Sequence, residues 1–194
     1  INGKYYVDSY NLLPRKCNGF DVYCRKSEDR LLAWYQPRTR RLCDLILPNL
    51  IELDEEFIMC FGLSIGDGLN NPGVRNSHYN FSNTNLELIK TVYGWLTKYF
   101  KIKKERIQIY ACAPLTFDTN SERENISKIL RLDKDLIRVY SKERHKKTVV
   151  FIQLSSALFQ YFYLNLFSRL KRVILNNKKL RRAFLKGLFS AEGH

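Results

Sequence analysis

From Leu53 onward the apolar and polar positions fall into blocks of changing period, and each period names an element. Asp54 stands as an N-cap before a helix over about Glu55 to Asp67, with Glu55 and Glu56 in its first turn and Gly68 as its stop. A turn-rich Asn70-Asn71-Pro72-Gly73 leads into an extended Val74 to Phe81 and a second helix over about Asn85 to Phe100. Arg106 to Cys112 alternates as a strand, with Ile107 and Ile109 on one side and Arg106, Gln108 and Tyr110 on the other. Residues 113–145 interrupt this order: Ser121 and Glu124 form a capping box for a short helix near Glu122 to Leu132, and a basic run follows. Thr148 to Leu154 reads as a buried strand and Ser155 to Leu175 as a long aromatic-rich helix. After the Asn176-Asn177 break, Lys179 to Ala191 begins another helix. Residues 1–52 are less regular. Tyr5 to Val7 and Phe20 to Cys24 suit short strands, Glu28 to Tyr35 suits a helical turn or two, and Pro37 and Pro48 punctuate a basic stretch from Arg38 to Arg41.

Composition narrows the partner. The 194 residues, 45% of them apolar, suffice for one domain with a modest extension. Against 19 Asp and Glu stand 33 Lys and Arg, a formal net charge of +14, so a polyanion is the natural ligand and nucleic acid leads. No stretch approaches the roughly 20 consecutive apolar residues of a spanning helix, and the start carries no charged-then-apolar signal segment. The expectation is an intracellular protein, cytoplasmic, nucleoid-associated or organellar, with no membrane partner. Cys17, Cys24, Cys43, Cys60 and Cys112 are odd in number and irregularly spaced, which favours reduced thiols over a zinc site. The chain starts at Ile1 and stops at His194 where a helix hands over to new structure, so a fragment of a longer protein is expected.

One long-range repeat carries the chemistry. Gly62-Leu63-Ser64-Ile65-Gly66-Asp67-Gly68 and Gly187-Leu188-Phe189-Ser190-Ala191-Glu192-Gly193 share Gly-Leu, a small residue four after the first glycine, an acid, then glycine. Small residues at i and i+4 lie on one helix face and let two backbones approach. Packing the two helices side by side brings Asp67 and Glu192 together, where like charges are costly unless a cation is shared. A hard divalent ion with oxygen ligands suits that pair. A single helix-end carboxylate is ordinarily just solvated; it is the matched second copy that argues for a site.

These paired motifs resemble the LAGLIDADG homing endonucleases, in the single-chain form with two motif helices, and the resemblance spans the chain from Leu53 to its end. It implies an α+β fold: an αββαββα half-domain over 53–177 with an insertion at 113–145 between strands 3 and 4, a mixed sheet forming a DNA-binding saddle, and motif helices at the interface between halves. Residues 1–52 would be an extension of unclear fold, and 178–194 the second motif helix opening a second half-domain. It further implies site-specific double-strand DNA cleavage, with Asp67 and Glu192 catalytic and binding Mg²⁺ or Mn²⁺, helped by the backbone carbonyls of Gly66 and Ala191. Two such ions can activate water and stabilise the leaving oxygen. Glu192 replaces the usual aspartate and Cys60 stands where leucine opens the motif, while Asn83 and Thr84 stand where members often carry glutamine or lysine.

Base readout in the major groove would fall to the polar sides of the strands: Asn76, His78, Asn80 and Asn83, then Arg106, Gln108 and Tyr110. A one-residue slip would substitute Arg75, Ser77 and Tyr79. Arg138, Lys142, Arg144, Lys146 and Lys147, at the end of an insertion expected to protrude as a hairpin, suit phosphate contacts, as do Lys178, Lys179, Arg181 and Arg182. His78 and His145 read as groove and surface residues rather than metal ligands, and Tyr161, Phe162, Tyr163 and Phe167 as core rather than a stacking platform. The rival functions are an intron RNA maturase of the same fold, and a non-catalytic DNA-binding regulator.

Overall fold

The computed structural model describes residues 4–38, 42–68, 78–143 and 146–192, with backbone alone at Gly68 and Glu192. The chain begins with seven short strands: β1 (Tyr6–Asp8), β2 (Lys16–Cys17), β3 (Phe20–Asp21), β4 (Tyr23–Lys26), β5 (Arg30–Tyr35), β6 (Cys43–Pro48) and β7 (Leu50–Glu52). It continues as α1 (Glu55–Gly68), β8 (Tyr79–Asn83), α2 (Leu86–Tyr99), β9 (Ile107–Ala113), α3 (Thr119–Leu130), β10 (Ile137–Ser141), β11 (Val149–Leu154), α4 (Ala157–Asn176) and α5 (Lys178–Glu192). The fold is α+β. No helix among the described residues is long and apolar enough to cross a membrane.

The N-terminal segment is mostly extended, with one 3-10 turn at Ser9–Leu12, and the helical turns expected over Glu28 to Tyr35 are instead β5. Its apolar positions recur every second residue. Leu31, Ala33 and Tyr35 are buried, while Leu32 and Trp34 point to the other face, so an apolar run on both faces concealed the period of two. β4, β5 and β6 form an antiparallel meander, and β1 pairs with β7. The β2–β3 hairpin turns through Asn18 and Gly19, both with positive φ (52° and 86°), the conformation that Asn-Gly favours in two-residue hairpins. Leu12, Cys17, Ala33, Leu45 and Ile51 belong to the same hydrophobic core as α1, α2 and α4. The first fifty residues therefore pack into the body of the protein.

The main sheet has the order β10-β9-β11-β8 and is mixed. β11 is antiparallel to both β9 and β8, whereas β10 runs parallel to β9. The segment expected to protrude as a basic hairpin is thus a crossover: α3 carries the chain over the sheet, because parallel neighbours cannot be joined by a tight turn. Phe81, Ile152, Ile109 and Ile137 share the buried face. Against it α2 packs on β8 and β11, and α3 packs beside β10.

Helix starts follow their caps. Asp54 Oδ1 accepts from the Phe57 amide at 2.7 Å and also takes the Tyr99 hydroxyl at 2.8 Å, fixing the start of α1 against α2. Asn85 caps α2, Ser156 caps α4, and Asn177 caps α5 by accepting from the Lys179 and Leu180 amides. α3 departs from expectation by starting at Thr119. Asp118 accepts from the Ser121 amide at 2.9 Å and from its hydroxyl at 2.7 Å, so Ser121 serves the cap rather than being it. In α4 Phe162 and Tyr163 are buried as expected, whereas Tyr161 and Phe167 remain partly exposed.

Candidate functional site

The repeated motif produces a helix pair. α1 and α5 lie side by side in the same direction, and their glycines occupy the seam. A Cβ on Gly62 would strike the Phe184 carbonyl and sit 3.1 Å from the Leu188 amide; a Cβ on Gly187 would strike the Met59 carbonyl and sit 2.8 Å from the Leu63 amide. The contacts are reciprocal. Phe184 precedes Gly187 by the same interval as Met59 precedes Gly62, and Leu63 and Leu188 follow their glycines equally, so the pair has a local two-fold relation. One turn on, a Cβ on Gly66 would lie 2.5 Å from the Ala191 Cβ. Only glycine permits backbones this close. The two chains next advance to Asp67 and Glu192, whose backbones therefore stand at one end of the seam; the Glu192 side chain lies outside the described residues.

Asp67 is half-buried and tied to the sheet. The Asn83 carboxamide nitrogen, at the end of β8, donates to Asp67 Oδ2, while the Asn83 oxygen accepts from the Asn85 amide at 2.7 Å. Asn85 in turn caps α2, so one chain of side-chain hydrogen bonds runs from the end of α1 through the end of β8 to the start of α2. Asn83 thus lies against Asp67, the acid of the first motif. Behind it, buried Ser64 joins the hydroxyls of Tyr79 at 2.6 Å and Tyr163 at 3.0 Å, locking α1 to β8 and α4. Burial pushes both phenols well above their ordinary range, so they stay neutral.

The face of the main sheet opposite α2 carries the polar residues in register. Asn80, Gln153 and Gln108 lie directly opposite one another on β8, β11 and β9, and the next row is Ser82, Phe151, Tyr110 and Arg138. Tyr110 and Phe151 stack face to face at 4.7 Å with an interplanar angle of 4°. Tyr79 is buried, which settles the register question for the described part of β8 in favour of Asn80 facing out. The Asn80 carboxamide oxygen is shielded from solvent and finds no partner among the described residues. His78 precedes β8 at the rim.

Arg106 sits in a 3-10 turn just before β9 rather than in the strand, and its guanidinium donates to the Asp44 carbonyl at 2.7 Å and to its carboxylate at 3.4 Å. This clamps β9 to β6. Arg138 is exposed on β10, and Lys142, Lys146 and Lys147 are exposed around the β10–β11 connection. Lys179 pairs with Glu55 at 2.8 Å across the motif helices. Arg75, Asn76 and Arg144, together with Val74, Ser77 and His145, lie outside the described residues. Sequence reasoning misses Gln153 and Phe151, because Thr148 to Leu154 reads as a buried strand, and Tyr140, because it falls in the segment read as an insertion; the polar Gln153 among apolar neighbours is the available signal.

No protein-family model matches this chain, and no curated protein matches it.

Proposed function

We propose that this protein is a site-specific, divalent-metal-dependent DNA endonuclease with the LAGLIDADG homing-endonuclease fold. The observation that carries the reading is the reciprocal glycine seam between α1 and α5, which brings the backbones of Asp67 and Glu192 to one end of the seam, where Asp67 meets the end of β8. With α3 and β10 set apart as the insertion, the described order is α1-β8-α2-β9-β11-α4, one strand short of an αββαββα half-domain; the further strand expected before β8 falls on residues outside the described ones. The net charge of +14 supplies the attraction for duplex phosphates.

The donors suit magnesium. Asp67 offers a hard carboxylate oxygen beside helix C-terminal carbonyls at Gly66 and Ala191, with no sulfur or imidazole needed, a set that Mg²⁺ or Mn²⁺ accepts. When bound, the metal would activate water and polarise the phosphate. Asp67 and Glu192 would hold it, and Asn83 orients the Asp67 carboxylate by fixing one of its oxygens. The Gln153 and Gln108 carboxamides have the bidentate form that reads adenine edges in the major groove, and Tyr110 with Phe151 offers an apolar face to thymine methyls. Arg138, Lys142, Lys146 and Lys147 would hold the phosphate backbone at the β10 edge.

Cleavage of a randomised-site duplex library with Mg²⁺, by the parent and by a variant carrying Asp67→Asn and Glu192→Gln, tests this. The parent should enrich one long cut site and the variant should bind that site without cutting it. Tight binding with no cutting by either protein overturns the nuclease reading and leaves the regulator.

A further inference from the structure

The β4–β5–β6 meander has a second face that the proposed chemistry does not use. One face is core: Leu31, Ala33, Tyr35, Leu45 and Leu47 are buried. The register places Tyr23 opposite Trp34 and Arg25 opposite Leu32 on the other face, with Ile46 beyond. Tyr23 is 57% exposed, and its ring stacks on Trp34 with centroids 6.2 Å apart and planes 27° from parallel. Burial alone does not account for two large rings stacked on an open strand pair at the edge of a basic protein.

The acids nearest these rings are paired, while Glu28, at the far turn between β4 and β5, is exposed and makes no ion pair among the described residues. Asp29 is matched by Arg30 at 3.1 Å, and Asp44 is held by Arg106. Arg25 on the same face and Arg38 just beyond β5 make no ion pair among the described residues. A flat aromatic pair flanked by unmatched guanidinium groups is the combination that binds unpaired bases: rings stack on the bases and cations meet the phosphates. A closed duplex offers no base face to such a platform. Unpaired bases are the ordinary state of RNA loops and ends.

We propose that the open face of the meander, built on Tyr23, Trp34 and Arg25, is a docking surface for single-stranded RNA, separate from the polar face of the main sheet. It does not depend on the nuclease reading. Tyr23 provides the exposed ring, Trp34 backs it, and Arg25 meets the phosphate beside the stacked base.

The test is fluorescence anisotropy of the whole protein with a labelled, unstructured RNA of roughly 12 nucleotides, a length within single-strand site sizes. The same sequence as single-stranded DNA and as duplex DNA gives the other arms. RNA should bind more tightly than its DNA counterpart, Tyr23→Ala should weaken it roughly 5- to 150-fold, and Tyr23→Phe should keep it. Duplex binding should be unchanged in both variants. A base stacked on Tyr23, which Trp34 backs, should also alter Trp34 emission, since the other tryptophan, Trp95, is buried. Unchanged RNA affinity in Tyr23→Ala, or no RNA binding by the parent, overturns the platform. Equal or tighter single-stranded DNA binding overturns the assignment to RNA, and a parallel loss of duplex binding overturns the separateness of the surface.

Discussion

At Gly62 and Gly187 the absent Cβ is what allows α1 and α5 to touch, and the two residues are equivalent across the seam. Gly187→Ala gains helix propensity of about 1 kcal/mol but drives a methyl into the Met59 carbonyl, and overpacking of this kind costs about 1–3 kcal/mol or more when backbone must move. Urea denaturation should show net destabilisation. Gly94 in α2 is the control, because a Cβ there meets nothing within 4 Å; Gly94→Ala should stabilise by about 0.5–1 kcal/mol. Two glycines on two helices should thus respond with opposite sign. The buried thiols give a second expectation at this scale. Burial pushes Cys60 up to about 12 and Cys17 up to about 11, from an ordinary value near 9. Folded protein therefore keeps protons that the unfolded chain has lost, and stability should fall as pH rises above about 9. Comparing urea midpoints at pH 8 and 10 checks this, and a Cys17→Ala, Cys60→Ala variant should show a shallower fall.

Elements were legible where one local signal dominated. Asp54, Asn85 and the Asn176-Asn177 break each mark a helix start, because a side-chain oxygen has only a few nearby amides to serve. Competition between two caps is harder to resolve. The Ser121–Glu124 spacing fits a capping box, but Asp118 three residues earlier is a charged acceptor and takes both the Ser121 amide and its hydroxyl. Asp118→Ala should therefore cost about 1 kcal/mol, and Ser121→Ala distinctly less, as read by thermal or urea unfolding. The reverse ranking would restore the capping box. Long-range pairing was beyond the sequence altogether. Nothing in Ile137 to Ser141 tells that it will lie parallel to β9 instead of forming its own hairpin, since that choice depends on where α3 carries the chain. β5 failed for another reason: Leu32 and Trp34 are apolar on an open face, so alternation was hidden in residue type. The motif acids were legible because their helix spacing is local, whereas Gln153 became a site candidate only when the register set it between Asn80 and Gln108.

Across the whole molecule, charge and shape divide the labour. On the proposed DNA reading, the excess of 33 cations over 19 anions would act at a distance and carry no sequence information, whereas the carboxamide row of the main sheet would act only on contact. If duplex DNA lies on that sheet with Arg138, Lys142, Lys146 and Lys147 on its phosphates, binding must release counterions, and affinity must fall steeply with salt. With about 6–10 phosphate contacts the loss between 50 and 200 mM salt is about 10³–10⁵-fold. Replacing Lys146 and Lys147 by alanine should lower the slope of log affinity against log salt by about 2, with little change in which sequence is preferred. Replacing Gln108 by alanine should do the reverse: the slope stays, and discrimination at one base pair weakens by about 1–3 kcal/mol. Titrations at several salt concentrations, with preferred and scrambled duplexes, separate the two effects. Salt slopes that ignore the lysines would move the duplex off the β10 edge, and unaltered discrimination without Gln108 would move it off the face where β8, β11 and β9 align their amides.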